Sequence, residues 1–257
     1  MKKWRSFPVL IKENIVRNMC IPDMLTFGLD LITVDHFSIL ATSRKFFVDQ
    51  LCLRVTADKN KHDVNNLIKK LTKARKSLKV KELRMVVVVE HEELITGFLG
   101  VCDPSRIESI QIPKLLSQEV YDEIVKTPHW RNSKQVWLND MCQLRLNLPT
   151  VNIDDFLHFE NVQLLVDRLH TNDAVEFVQN LRNASDHAKF KIRCQEPMQY
   201  DLIRQGIEAG WDGNWQQTQH YNGFITDRAK PDHVFYVEYS PFYLYGKWRL
   251  LEQFNSG

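Results

Sequence analysis

Three clusters in this sequence gather side chains that could do chemistry, and in each the spacing argues against it. Glu90-His91-Glu92-Glu93 sets three carboxylates around an imidazole. A helical zinc site needs a second histidine one turn on, and none follows His91 at that interval. Acidic residues there suit the start of a helix, where they face the positive end of its dipole. Ser185-Asp186-His187 places nucleophile, acid and base types side by side. Triad members converge from separate segments, so this run reads as a loop. Gly97-Phe98-Leu99-Gly100 lacks the lysine and spacing of a phosphate cradle. The expectation is a protein that is not an enzyme and uses no metal or cofactor.

The five cysteines, Cys20, Cys52, Cys102, Cys142 and Cys194, are widely scattered. None is paired at zinc or redox spacing, and an odd number suits buried thiols in a reducing compartment. Asn183-Ala184-Ser185 has the form of a glycosylation sequon, which has no role without a secretory route. Charge offers one more candidate. Lys69, Lys70, Lys73, Arg75, Lys76, Lys79 and Lys81 form a basic stretch. It reads as the solvated side of a helix opposite Leu67, Ile68 and Leu71, or else as a contact for an acidic or nucleic-acid partner. Trp211, Trp215 and Tyr221 read as core or cap residues, or else as an exposed contact patch, because aromatics dominate interface hot spots.

Composition bounds these readings. The chain has 257 residues, 44% hydrophobic and 26% charged, which is ordinary for a globular protein. A net charge of +2 is too small to require nucleic acid or an anionic membrane. Basic residues open the chain, but Phe7 to Leu10 is soon followed by Lys12, Glu13, Asn14 and Arg17, so no secretory signal is expected. No stretch approaches the ~20 apolar residues of a membrane span, and the longest apolar run, Met85 to Val89, is strand length.

The elements that would position these groups recur. Short pairs of apolar residues at alternate positions appear at Leu83 and Met85, Ile110 and Ile112, Val136 and Leu138, Val162 and Leu164, and Phe190 and Ile192. Their first members return at a near-constant interval, and Leu53 with Val55 is an earlier candidate slightly further upstream. Period-two alternation marks strands with one face buried, and an interval this steady falls within the ~20–29 residues of leucine-rich-type units. Helical stripes lie between the strands. Val64, Leu67, Ile68 and Leu71 make one, and Ala174, Phe177, Val178 and Leu181 another, with Thr171 or Asn172 placed to cap it. A third has Ser117 ahead of Val120, Tyr121 and Ile124. Asp103-Pro104 should close a helix running from about Glu92 to Val101. The predicted fold is α/β: a leucine-rich-repeat-like stack of strand–helix units, with a parallel sheet on one side and helices on the other. The asparagine-and-leucine signature of true leucine-rich repeats is absent. Near the end, His233 to Tyr239 and Tyr243 to Leu251 flank Ser240-Pro241 and predict a β-hairpin cap.

Residues 1–48 do not follow the period and read as a short all-α module, leaving 49–257 as the repeat domain. Phe7-Pro8 opens a pattern with Ile11, Ile15, Val16 and Met19 on one helical face. A second cluster follows at Met24-Leu25, and a third runs from Phe37 to Phe47. So few residues cannot form much of a core, and their apolar faces need the adjoining domain or a partner to cover them.

Several stretches resemble the nematode F-box proteins that carry an F-box-associated FTH (FOG-2 homology) domain. Phe7-Pro8 stands where an F-box has its Leu-Pro opening. Ile11, Ile15, Val16 and Met19 match its first helix, and Asp23-Met24-Leu25 the start of its second. Pro128-His129-Trp130-Arg131-Asn132-Ser133-Lys134, Phe156-Leu157-His158-Phe159-Glu160-Asn161-Val162 with Leu169-His170-Thr171-Asn172-Asp173, and Lys230 to Val237 are similar to runs of the FTH domain, which would span roughly residues 50–255.

This resemblance implies a substrate-recognition subunit of a Skp1-cullin-F-box ubiquitin ligase. Phe7, Pro8, Ile11, Ile15, Val16, Met19, Met24 and Leu25 would dock the Skp1-type adaptor, and the repeat domain would hold an unidentified protein target. Lys69, Lys70, Lys73, Trp211 and Trp215 are the expected partner surface. No membrane and no small-molecule substrate is implied, and the location would be cytoplasmic or nuclear. Two other readings stay open. One is a repeat scaffold with a degenerate F-box, because Val9-Leu10 replaces the acidic residue that usually follows Leu-Pro. The other is nucleic-acid binding through the basic stretch from Lys69 to Lys81.

Overall fold

A computed structural model describes residues 47–55, 58–113, 116–139, 150–184, 188–209, 215–219, 222–227 and 230–250. The proposed adaptor-docking residues between Phe7 and Leu25 lie outside this set, as do Cys20, Cys142, Trp211, Tyr221 and the Ser185-Asp186-His187 run. What is described is mixed α/β with largely parallel strands, and it falls into two compact units that divide between Ser133 and Lys134.

In the first unit β1 (Val48–Val55), β2 (Val80–Val87) and β3 (Ser109–Ile112) pair side by side, all parallel. Alternation decides their faces. Leu51, Leu53 and Val55, then Leu83, Met85 and Val87, then Ile110 and Ile112 are buried, and the residues between them are mostly not. Leu83 stands opposite Ile110, as their spacing in sequence predicted. The earliest pair is displaced by one pleat from its expected place. Leu51, not Leu53, faces Leu83, and Leu53 faces Met85. The crossover here carries the 17-residue helix α1 (Asp58–Ala74), so this interval is longer than the others.

On α1 the stripe of Val64, Leu67 and Leu71 is buried. Helix α2 (Glu93–Leu99) begins after a 3-10 turn at Val89–His91 and stops at Leu99, before the expected Val101. The reason is the sheet: Cys102 forms a parallel bridge with Leu78, so the chain must leave the helix in time to extend. Helix α3 (Gln118–Ile124) starts where the sequence indicated, with Ser117 Oγ accepting from Val120 N at 3.4 Å. Helix α4 (Pro128–Asn132) follows.

The second unit contains β4 (Gln135–Leu138), a 3-10 turn at Ile153–Phe156, β5 (Asn161–Val166), α5 (Thr171–Ala184), β6 (Lys189–Cys194) and α6 (Tyr200–Ala209). Parallel pairing sets Val136 opposite Val162 and Val162 opposite Phe190, as the steady interval between these pairs predicted. Helix α5 begins at Thr171, with Ala174 N donating to His170 O at 2.9 Å. The first turn is therefore set by His170, upstream of the expected caps Thr171 and Asn172. Four antiparallel strands complete the unit: β7 (Trp215–Gln219), β8 (Asn222–Asp227), β9 (Lys230–Ser240) and β10 (Tyr243–Leu250), with β10 paired to β6. The expected hairpin is β9–β10. It is not the last pair, because β8 and β7 extend the meander beyond it. Little announced them: Trp215-Gln216-Gln217-Thr218-Gln219 has almost no apolar alternation.

The core of this unit is centred on Phe190. Its ring meets Phe177 of α5 edge-on at 5.2 Å and Phe235 of β9 at 6.3 Å. Phe235 in turn meets Trp248 of β10 edge-on at 5.2 Å. Gly246 stands directly opposite Phe190, and its missing side chain leaves room for the ring.

Candidate interaction surface

Among the described residues, no group of three or more His, Cys, Asp and Glu side chains is placed to hold a metal. The acidic cluster is dispersed into structural contacts. His91 Nδ1 lies 2.7 Å from Glu90 O, Glu92 Oε2 accepts from Ser117 N at 2.8 Å, and Glu93 pairs with Lys61 at 2.9 Å. That lysine holds the Glu93 carboxyl below the usual carboxylate range.

Two family-like runs build the fold rather than a surface. In Pro128 to Lys134, Thr127 Oγ1 accepts from Trp130 N at 3.2 Å and Pro128 sits in the first turn. Trp130 is buried, His129 Nε2 lies 3.0 Å from Cys102 O, and Ser133 Oγ donates to His129 O at 2.8 Å. Phe156 and Phe159 are fully buried, and the exposed His158 ring lies over Phe159 at 3.9 Å. Asn139, at the end of β4, adopts φ 56° and donates from Nδ2 to Leu165 O of the next strand at 3.5 Å. One asparagine thus makes a rung between neighbouring strands without any repeat signature around it.

Of the expected partner surface, Lys69, Lys70 and Lys73 are exposed on α1, while Leu67 and Leu71 are buried on its other side. Trp215 opens β7 in the other unit, and Trp211 lies outside the described residues. The structure brings together a different set. In β6, Phe190, Ile192 and Cys194 turn inward, so Lys189, Lys191 and Arg193 share the outer face. In β10, Leu244, Gly246 and Trp248 turn inward, leaving Tyr243, Tyr245, Lys247 and Arg249 outside. Tyr236, Glu238 and Ser240 of β9 join them. Register aligns these in rows: Asn161, Lys189, Lys247 and Tyr236, then Gln163, Lys191, Tyr245 and Glu238, then Leu165, Arg193, Tyr243 and Ser240.

The tyrosines support one another. Tyr243 and Tyr245 lie parallel within 4° at 6.2 Å, and Tyr236 meets Tyr245 edge-on at 6.3 Å. The Arg249 guanidinium covers the Tyr236 ring at 4.4 Å, and Lys247 Nζ lies 6.0 Å from the Tyr245 centroid. Burial, reinforced by the Glu238 charge, pushes the Tyr243 phenol up to about 12, so it remains a neutral donor. Such a face can present cations and phenol hydroxyls in fixed rows. The strand signal lies in the inward, apolar half of each alternation, so the sequence does not announce this face, although Lys-Lys-Arg and Tyr-Tyr-Lys-Arg stand in the outward half.

A family model described as FTH domain matches residues 62–204, from within α1 to within α6. The match takes in β2 through β6 and stops short of the meander, so the family-like run from Lys230 lies outside it. No curated protein and no solved structure matches the chain significantly.

Proposed function

The chain belongs to the FTH domain family, and from that premise we propose that it is a target-recognition subunit of a Skp1-cullin-F-box ubiquitin ligase. One observation carries the recognition half: a β-sheet face on which register fixes cations and tyrosines in rows across β6, β10 and β9. A face of this kind presents hydrogen bonds and charge to a protein without needing groups that react. The docking half rests on sequence. Ile11, Ile15, Val16 and Met19 recur at helical spacing, and an amphipathic helix laid in an apolar groove gains affinity through such anchors. The receptor then acts by proximity, holding a target beside the ubiquitin-loaded enzyme. Further repeat-like character, in which each strand–helix layer is stabilised by its neighbour, belongs to the same reading.

The test is co-purification with a Skp1-type adaptor. The wild-type chain should retain it, and Ile15→Asp with Met19→Asp should lose it while keeping the urea midpoint of the wild type. A wild-type chain that ignores the adaptor would leave the scaffold and nucleic-acid readings.

A further inference from the structure

We propose that the outer face of β6, β10 and β9 recognises a carboxylate-rich segment of the target protein; this rests on the receptor reading above. Three observations converge. First, the face is strongly biased in charge. On β5, β6, β10 and β9 its register positions hold Lys189, Lys191, Arg193, Lys247 and Arg249 against one carboxylate, Glu238. The whole chain is nearly neutral at +2, so the bias is local. Second, no acid stands opposite Lys189 or Lys191 in register. On β5 their neighbours are Asn161 and Gln163, and on β10 they are Lys247 and Tyr245. Lys189 and Lys247 are thus directly opposed like charges, an arrangement that costs stability unless an anion lies between them.

Third, the tyrosines favour a peptide over nucleic-acid bases. A stacking platform needs free ring faces. Here Arg249 covers Tyr236, Lys247 lies toward Tyr245, and Tyr243 and Tyr245 run parallel to each other. Tyr236 Oη already donates to Glu238 Oε2 at 3.4 Å, and the hydroxyls of Tyr243 and Tyr245 suit carboxylate oxygens in the same way.

Fluorescence polarisation on the full-length chain tests this with three labelled probes: a poly-glutamate peptide, a neutral Gly-Ser peptide and poly-uridine. The wild type should bind poly-glutamate in a salt-sensitive manner and bind the neutral peptide far less. Lys191→Glu with Lys247→Glu should weaken poly-glutamate binding by about tenfold or more, since each reversal replaces an attraction with a repulsion. The same variant should unfold at an equal or higher urea concentration, because the carboxylate introduced in place of Lys247 would face Lys189. Lys69→Glu with Lys73→Glu makes an equal change of net charge on α1 and should leave binding unchanged. Poly-glutamate binding that is absent, that survives the β6–β10 variant, or that falls equally in the α1 variant would overturn the proposal. Tighter binding of poly-uridine, lost in Tyr245→Ala, would overturn it in favour of a nucleic-acid face. Adaptor retention measured on the same preparations separates the two readings: retained adaptor without peptide binding refutes this inference alone, and the reverse refutes the receptor reading alone.

Discussion

Adding one methyl group at Gly246 tests how the parallel strands are joined to the meander. The Cβ of Gly246→Ala would lie 2.5 Å from Cζ of Phe190 and overlap Cε1 as well. Carbon atoms rest about 3.5–4.0 Å apart, so the overlap is about 1 Å or more. The ring has nowhere to go. Phe177 meets it edge-on at 5.2 Å, the Phe235 ring lies 6.3 Å away, and only 1% of its surface is exposed. Overpacking of this kind costs about 1–3 kcal/mol, which in a chain of this size lowers the melting temperature by about 2–4 °C per kcal/mol. Phe190→Leu removes the overlapping ring atoms and by itself costs burial of about 1 kcal/mol or more. The two changes should therefore compensate. Urea unfolding of the wild type, both single variants and the double variant gives the coupling energy, expected at about 0.5–3 kcal/mol in the compensating direction. An unchanged midpoint for Gly246→Ala, or strict additivity in the double variant, would show that β10 does not lie on Phe190 as described.

Thr127→Ala removes the cap that accepts from Trp130 N and also donates to Ile124 O at 2.7 Å; a loss of about 1 kcal/mol in urea unfolding is expected, and no loss would contradict the placement of α4. Burial raises the thiol pKa values of Cys102 and Cys194, the latter to about 12 from 9.0. Alkylation mapped by mass spectrometry should therefore spare both in the native chain and label both in urea, and native labelling would refute their burial. Because a raised thiol pKa favours the folded state only while the thiol is protonated, this contribution is complete below about pH 9 and fades as pH rises toward the folded value. A pH titration of the urea midpoint should show the decline above pH 9 in the wild type and less of it in Cys194→Ala. Lys61→Ala, by contrast, breaks an exposed pair with Glu93 and should shift stability by about 0.5 kcal/mol or less.

How much of this was written in the sequence differs from element to element. Strands β2 to β6 were legible because a buried pair such as Val162 and Leu164 is a period-two signal that nothing nearby imitates. Helix α3 was legible because Ser117 and its apolar stripe agree. The register of β1 was not, since three alternating apolar residues, Leu51, Leu53 and Val55, allow two pairings until the length of α1 chooses one. Strands β7 and β8 escaped notice because their pairing depends on β9, a neighbour contributed by tertiary structure, rather than on local alternation. The charged face lay in plain view as Lys189, Lys191 and Arg193, but exposed lysines and arginines are ordinary on any strand. Only the pairing of β6 with β10 shows that Lys189 meets Lys247, and that juxtaposition gives the residues meaning.

Hydrogen exchange of the full-length chain, with and without a Skp1-type adaptor, tests most directly whether docking and recognition occupy different parts of the molecule. The adaptor should slow exchange in peptides from the N-terminal module and leave those covering β6, β9 and β10 unchanged. Protection that appears across the sheet, or none within that module, would contradict a receptor that docks its adaptor and holds its target through separate segments of the chain.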